Sequence, residues 1–171
     1  MKFRIKRPHW SGILGNSGQP NYLPEDEPKF SIFSQSITFH RKQLAFRALQ
    51  KTFDAIVSMR DLQSILFNSV EAIAGVLKRG VKIRLLVEKF EGKKSAPSTM
   101  KRLEKTHVFK IRYLPNTSNP LMSIYDNKEA FVCTFRNPAL KDCTTLWTND
   151  PCFLSIFREY FEMKWQGALG F

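Results

Sequence analysis

The polar residues best placed to do chemistry lie in one stretch, NPLMSIYDNKEAFVCTFRN, residues 119–137. An apolar run reaches Asp126, pauses on Asn127 and Lys128, and leaves through a second apolar run towards Thr134 and Asn137. Asp126 has two readings. It is a hairpin-turn residue, since Asp and Asn tolerate turn geometry, or it is a polar contact to a ligand. Asn119, Thr134 and Asn137 pose the same choice between strand or loop duty and ligand contact. Arg60 is a further candidate, because it follows the short apolar run DAIVSM and ligands of open α/β sheets bind at the C-terminal ends of strands. Its neighbour Asp61 reads as a helix cap. Lys78, Arg79, Lys82 and Arg84 form the densest basic run. They make either a solvated face or a contact to phosphate or nucleic acid.

The chain that positions these residues has 171 residues, 43% hydrophobic and 25% charged, enough for one ordinary domain with a core. The net charge of +12 favours contact with nucleic acid or anionic surfaces. The excess is spread along the chain, so no basic tail stands out. Three cysteines, an odd count without close pairs, speak against a disulfide scaffold and for a reducing compartment. Their spacing is too long for a Cys-x-x-Cys knuckle, and no Gly-rich phosphate loop follows a strand. Neither a metal nor a cofactor is therefore expected. No run approaches the length of a membrane span, and the basic N-terminus lacks a signal peptide's apolar region. The expected location is the cytoplasm.

The pattern divides the chain in two. Residues 1–39 include NSGQPNYLPEDEP and read as a linker or flexible N-terminal arm. Residues 40–171 carry regular periodicity. RKQLAFRALQKTF predicts a helix, DAIVSM a short buried strand, and 60–80 one long helix with a stripe of Leu66, Val70, Ile73 and Leu77. VKIRLLVE predicts a strand buried on both faces. A short helix over 99–106 and a strand HVFKIRYLP precede the two strands around Asp126. A strand TTLWTN and a helix opened by Asp150 as N-cap and Pro151 complete the order. Strands joined through helices give an α/β fold: a mixed, partly parallel sheet covered by helices on both faces.

At this point the sequence resembles the phospholipase-D-like superfamily. The run Lys78, Arg79, Gly80, Val81, Lys82, Ile83, Arg84 is similar to the helix end and central strand of that domain. The active members carry His-x-Lys-x4-Asp-x6-Gly-Ser-x2-Asn. With Asp126 as the Asp, Asn119 takes the place of the His and Leu121 that of the Lys. Cys133 and Thr134 take the places of Gly-Ser, and Asn137 that of the Asn. The resemblance makes the His the phosphoryl-accepting nucleophile and the Lys the fixed cation beside it. Neither His40 nor His107 stands in register to replace the lost His. The active enzymes also use two such motifs, and this chain has room for one.

The closing segment, with Trp147, Asn149, Phe161 and Trp165, resembles the effector domain of TrmB-type archaeal transcription regulators. That domain is a phospholipase-D-like half without catalytic residues. The resemblance covers residues 40–166 and implies a non-catalytic sensor or effector module. Its implied effector is a sugar or phosphorylated metabolite, and its implied partner a second copy or a DNA-binding protein. The regulators' N-terminal winged helix has no counterpart in residues 1–40. A basic nucleic-acid-associated protein is the alternative, and an active phosphodiesterase the remaining one.

Overall fold

The computed structural model describes residues 29–68, 70–88, 103, 106–115, 119–133 and 144–169. Thr134, Asn137 and nearly all of the short helix expected over 99–106 lie outside them. The elements run β1 (Phe30–Phe33), α1 (Gln35–Ala48), β2 (Thr52–Ser58), α2 (Met59–Asn68), α3 (Val70–Lys78) and β3 (Lys82–Glu88). They continue with β4 (Phe109–Leu114), β5 (Met122–Tyr125), β6 (Glu129–Cys133), β7 (Thr145–Thr148) and α4 (Pro151–Gly167).

The seven strands form one sheet in the order β1-β7-β6-β5-β2-β3-β4. β2, β3 and β4 are parallel, β2 and β3 joined through α2 and α3, and the other neighbours are antiparallel. The mixed, partly parallel α/β architecture is thus the expected one. Two cores sandwich the sheet. One buries Phe53, Ile83, Phe131 and Trp147 with Leu49, Leu62, Ile73 and Val76 from the α1–α3 side. The other buries Ile56, Leu86, Met122 and Ile124 with Leu154, Phe161 and Trp165 of α4. Leu85, Leu86, Val87 and Glu88 of β3 are all buried, as a central strand between two helical layers requires.

Local chemistry fixes the ends. Asp150 accepts from the N–H groups of Cys152 and Phe153 at 2.8 and 3.3 Å, with Pro151 at the first helical position. α3 closes with Gly80 N–H on the Leu77 carbonyl and Val81 N–H on the Val76 carbonyl. Gly80 takes φ +79° there, which a Cβ would strain.

Three details differ from the sequence reading. β1 pairs with β7 as a full strand and α1 starts at Gln35, ahead of the helix expected from residue 41. Tertiary pairing, which no local period reports, orders this segment. The helix expected over 60–80 is two segments, α2 and α3, with residue 69 outside the described residues. Leu66 and Ile73 of its stripe are buried, and Val70 and Leu77 half-buried. Cys133, finally, is disulfide-bonded, while Cys152 is free and exposed. That corrects the reading of the cysteines: spacing along the chain does not decide pairing, and a reducing compartment no longer follows from them. No described helix is long and apolar enough to cross a membrane.

Candidate functional site

The parallel strands give the sheet two chemically different ends. At their C-terminal end β2 finishes at Ser58 and β3 at Glu88, which are paired in register. Ser58 accepts from the Asp61 N–H at 3.1 Å and donates to the Asp61 carboxylate at 2.7 Å. This reciprocal cap starts α2 and is the capping duty expected of Asp61. It leaves Arg60, in the same turn, exposed to solvent at this end.

Asn119 is at this end too. It is buried, and its backbone N–H and Nδ2 donate to Glu88 Oε1 at 3.2 and 3.4 Å. Its Oδ1 accepts from the Tyr160 hydroxyl of α4 at 3.2 Å. Carboxylate, amide and phenol thus form a chain from β3 to the outer helix. A buried carboxylate is tolerated only with such donors. Sequence reasoning missed Glu88 and Tyr160. Their signals were an acid closing the apolar run Leu85, Leu86 and Val87 and a polar-tipped ring within an aromatic helix face.

A lysine lies between α1 and the sheet. The Lys42 ammonium is 5.7 Å from the Phe131 ring centroid. Desolvation lowers its pKa, and the charge of Asp61 pulls it back up.

Asp126 is at the opposite end. It and Asn127 take φ +50° and +60°, and Lys128 N–H donates to the Tyr125 carbonyl at 2.9 Å. Two positive φ values in a hairpin are those of a type I′ turn. The carboxylate accepts from the backbone N–H groups of Gln50, Lys51 and Thr52 at 2.8, 2.7 and 2.9 Å. Desolvation alone would raise its pKa. The three N–H groups and nearby Lys128 outweigh that and hold it below the usual carboxylate range. Asp126 therefore pins the loop between α1 and β2, with β5 separating it from Asn119.

The four basic candidates separate as well. Arg84 makes a bidentate pair with buried Asp54 at 2.7 and 2.8 Å and reaches Glu162 at 2.7 and 3.1 Å. Its guanidinium lies 5.0 and 5.4 Å from the rings of Phe161 and Trp165. The bonds to Asp54 raise its pKa against the opposing effect of burial, with Glu162 adding to the rise. Arg79 donates to the carbonyls of Arg47 and Leu49 at 3.1 and 3.2 Å, which closes α1 onto α3. Lys78 and Lys82 are exposed at the N-terminal end of the parallel strands.

Asn119 and Arg60 stand at the same end of the sheet, the one buried and the other exposed. An amide there can donate and accept, but it is a poor nucleophile. Among the described residues, no three His, Cys, Asp or Glu side chains group to hold a metal.

No family model and no curated protein matches the sequence. Solved structures do match the fold. NucT from Helicobacter pylori has a TM-score of 0.66 at 17% identity, over 85% of this chain and 100% of that one. TrmBL2, an archaeal chromatin protein with a novel mode of DNA binding, has a TM-score of 0.64 at 21% identity. The match covers 82% of this chain and 53% of TrmBL2, so this chain spans about half of that protein. Nuc from Salmonella typhimurium, a phospholipase D family member, has a TM-score of 0.59 at 14% identity, over 85% of this chain and 99% of that one. Identities this low speak for fold alone: the chain has the phospholipase-D-like fold, in a form similar to TrmB-type proteins.

Proposed function

We propose that this chain is a non-catalytic phospholipase-D-like effector module of the transcription-regulator type, binding a small polar ligand at the end of the sheet that holds Asn119. The observation that carries the reading is Asn119 itself. It occupies the place the resemblance gives the nucleophile, and its amide is engaged by Glu88 and Tyr160. Arg60 stands at the same end as a cation for an anionic group, which suits a phosphorylated metabolite or a sugar acid. A second copy of the chain, or a DNA-binding protein, would convert occupancy into a signal.

The test is a thermal-shift screen of the full chain against sugars, phosphorylated metabolites and nucleotides. A specific ligand at 100 times its Kd adds about 2.7 kcal/mol, which raises Tm by roughly 5–10 °C in a domain of this size. Asn119→Ala should abolish the shift. Metal-independent phosphodiester turnover by the purified chain would overturn the reading.

A second reading, a nucleic-acid-associated protein, is favoured by a separate observation: exposed lysines gather at the other end of the sheet.

A further inference from the structure

We propose that the N-terminal end of the parallel strands, opposite the Asn119 site, is a surface for the phosphate backbone of duplex nucleic acid. The inference rests on the second reading above and gives it a location. Six cations meet at this end: Arg47, Lys51, Lys78, Arg79, Lys82 and Lys128, all exposed. They are far apart in the sequence, and backbone hydrogen bonds bring them together. Lys82 N–H donates to the Lys51 carbonyl at 2.9 Å, and Asp126 N–H to the Thr52 carbonyl at 2.9 Å. Lys128 leads into β6, Lys51 precedes β2 and Lys82 opens β3, so the row crosses four neighbouring strands, with Asp126 at the end of β5. At ~4.8 Å between strands it is about 14 Å long. Arg79, bonded to the carbonyls that end α1, adds Arg47 and Lys78 as a second row under the helices.

The charge is only partly offset locally, by the Asp126 and Glu129 carboxylates against six cations, with Asp126 near Lys128. Among the described residues, the ion pairs are those of Arg84 with Asp54 and Glu162. The two carboxylates at this end accept from neutral N–H groups, Asp126 from three of the backbone and Glu129 from Trp147 Nε1 at 2.6 Å, and four positive charges remain in excess. A solvated basic face would disperse its charge, whereas here three segments distant in sequence converge.

The chemistry of the patch selects the polyanion. Segments 47–51, 78–82 and 126–128 contain no aromatic residue. Single strands are gripped by stacking bases on aromatic rings, and interfacial membrane binding needs an apolar face to insert. Neither is provided. Lysines and arginines on a rigid frame suit duplex phosphates, which position a protein without reading sequence.

The experiment is fluorescence anisotropy of the full chain with a short duplex of arbitrary sequence over a range of salt. Lys51→Gln, Lys82→Gln and Lys128→Gln together should flatten the log–log salt slope by about 2.7, from ~0.9 per phosphate contact. Lys51→Gln alone should flatten it by about 0.9. Arg158→Gln on exposed α4, which removes the same charge, should leave it unchanged. If wild-type chain fails to bind duplex at low salt, the nucleic-acid reading falls and the surface with it. If it binds but the triple variant keeps the wild-type slope, or Arg158→Gln matches Lys51→Gln, the reading stands and this location is wrong. Binding to phosphatidylserine vesicles that exceeds duplex binding and is lost in the triple variant would also overturn the proposal, in favour of a membrane surface.

Discussion

Asp126 and Lys42 are charged residues whose environments push in opposite directions. The Asp126 carboxylate collects three backbone N–H groups, so its charged form is favoured in the folded chain. Hydrogen bonds to a charged group contribute about 1.5–3 kcal/mol each, and less than additively. Asp126→Ala should therefore lower stability by about 3 kcal/mol at neutral pH, measured by urea unfolding. The folded pKa lies below the ordinary value, so this stability is complete above the unfolded pKa and is lost as pH falls through the folded one. The difference between wild type and variant should accordingly narrow in acid. Lys42 is the reverse case, since desolvation lowers its pKa. Lys42→Met should raise stability by about 1 kcal/mol at neutral pH. The folded chain binds fewer protons here than the unfolded one between the two pKa values, so wild-type stability rises with pH across that window and the gain from Met fades. Urea midpoints at neutral and alkaline pH check both signs.

Helix α4 is held to the sheet by an apolar stripe and by two cations, Arg84 of β3 and Arg112 of β4, the latter donating to the Trp165 carbonyl at 2.5 Å. Arg84 bridges Asp54 under the helix and Glu162 on it, with Phe161 and Trp165 alongside. Arg84→Ala leaves the Asp54 carboxylate buried without its partner and should cost about 3 kcal/mol. Glu162 is more exposed, so Glu162→Gln should cost under ~1 kcal/mol. Denaturant midpoints of the two variants test this ranking. The elements were also where the sequence was most readable. Asp150-Pro151 announced α4 and Gly80 the end of α3, because caps are local chemistry. The alternation in β3 and the turn at Asp126 were local as well. β1 was not, because four residues pair with β7 at a sequence distance no window spans. Asp126 has the turn geometry that one of its two readings expected, but a residue type in register cannot say which end of the sheet it serves. Glu88, Asn119 and Tyr160 come from three elements, and only the fold makes them one cluster.

At the scale of the molecule, the two proposals use opposite ends of the sheet. A ligand would enter where β2 and β3 finish, and a polyanion would lie where they begin. The effector reading further expects the module to pair with itself or with a partner. Light scattering at tens of micromolar should then give about twice the 19.9 kDa of the chain, and the monomer mass alone would remove self-association from the proposal.

The last described residue has a consequence for the opposite edge. Leu169 exchanges two backbone hydrogen bonds with Tyr113, at 3.0 and 3.2 Å, and so occupies the outer side of β4. Unpaired strand edges recruit foreign strands, and proteins blunt them to avoid polymerising. The turn after α4 thus acts as a guard rail on the sheet. A truncation after Trp165 would keep nearly all of the helix and both cores, yet present Tyr113 to any extended segment that approaches. Such a chain should fold and then aggregate with a lag, binding thioflavin T, while the full chain stays dispersed.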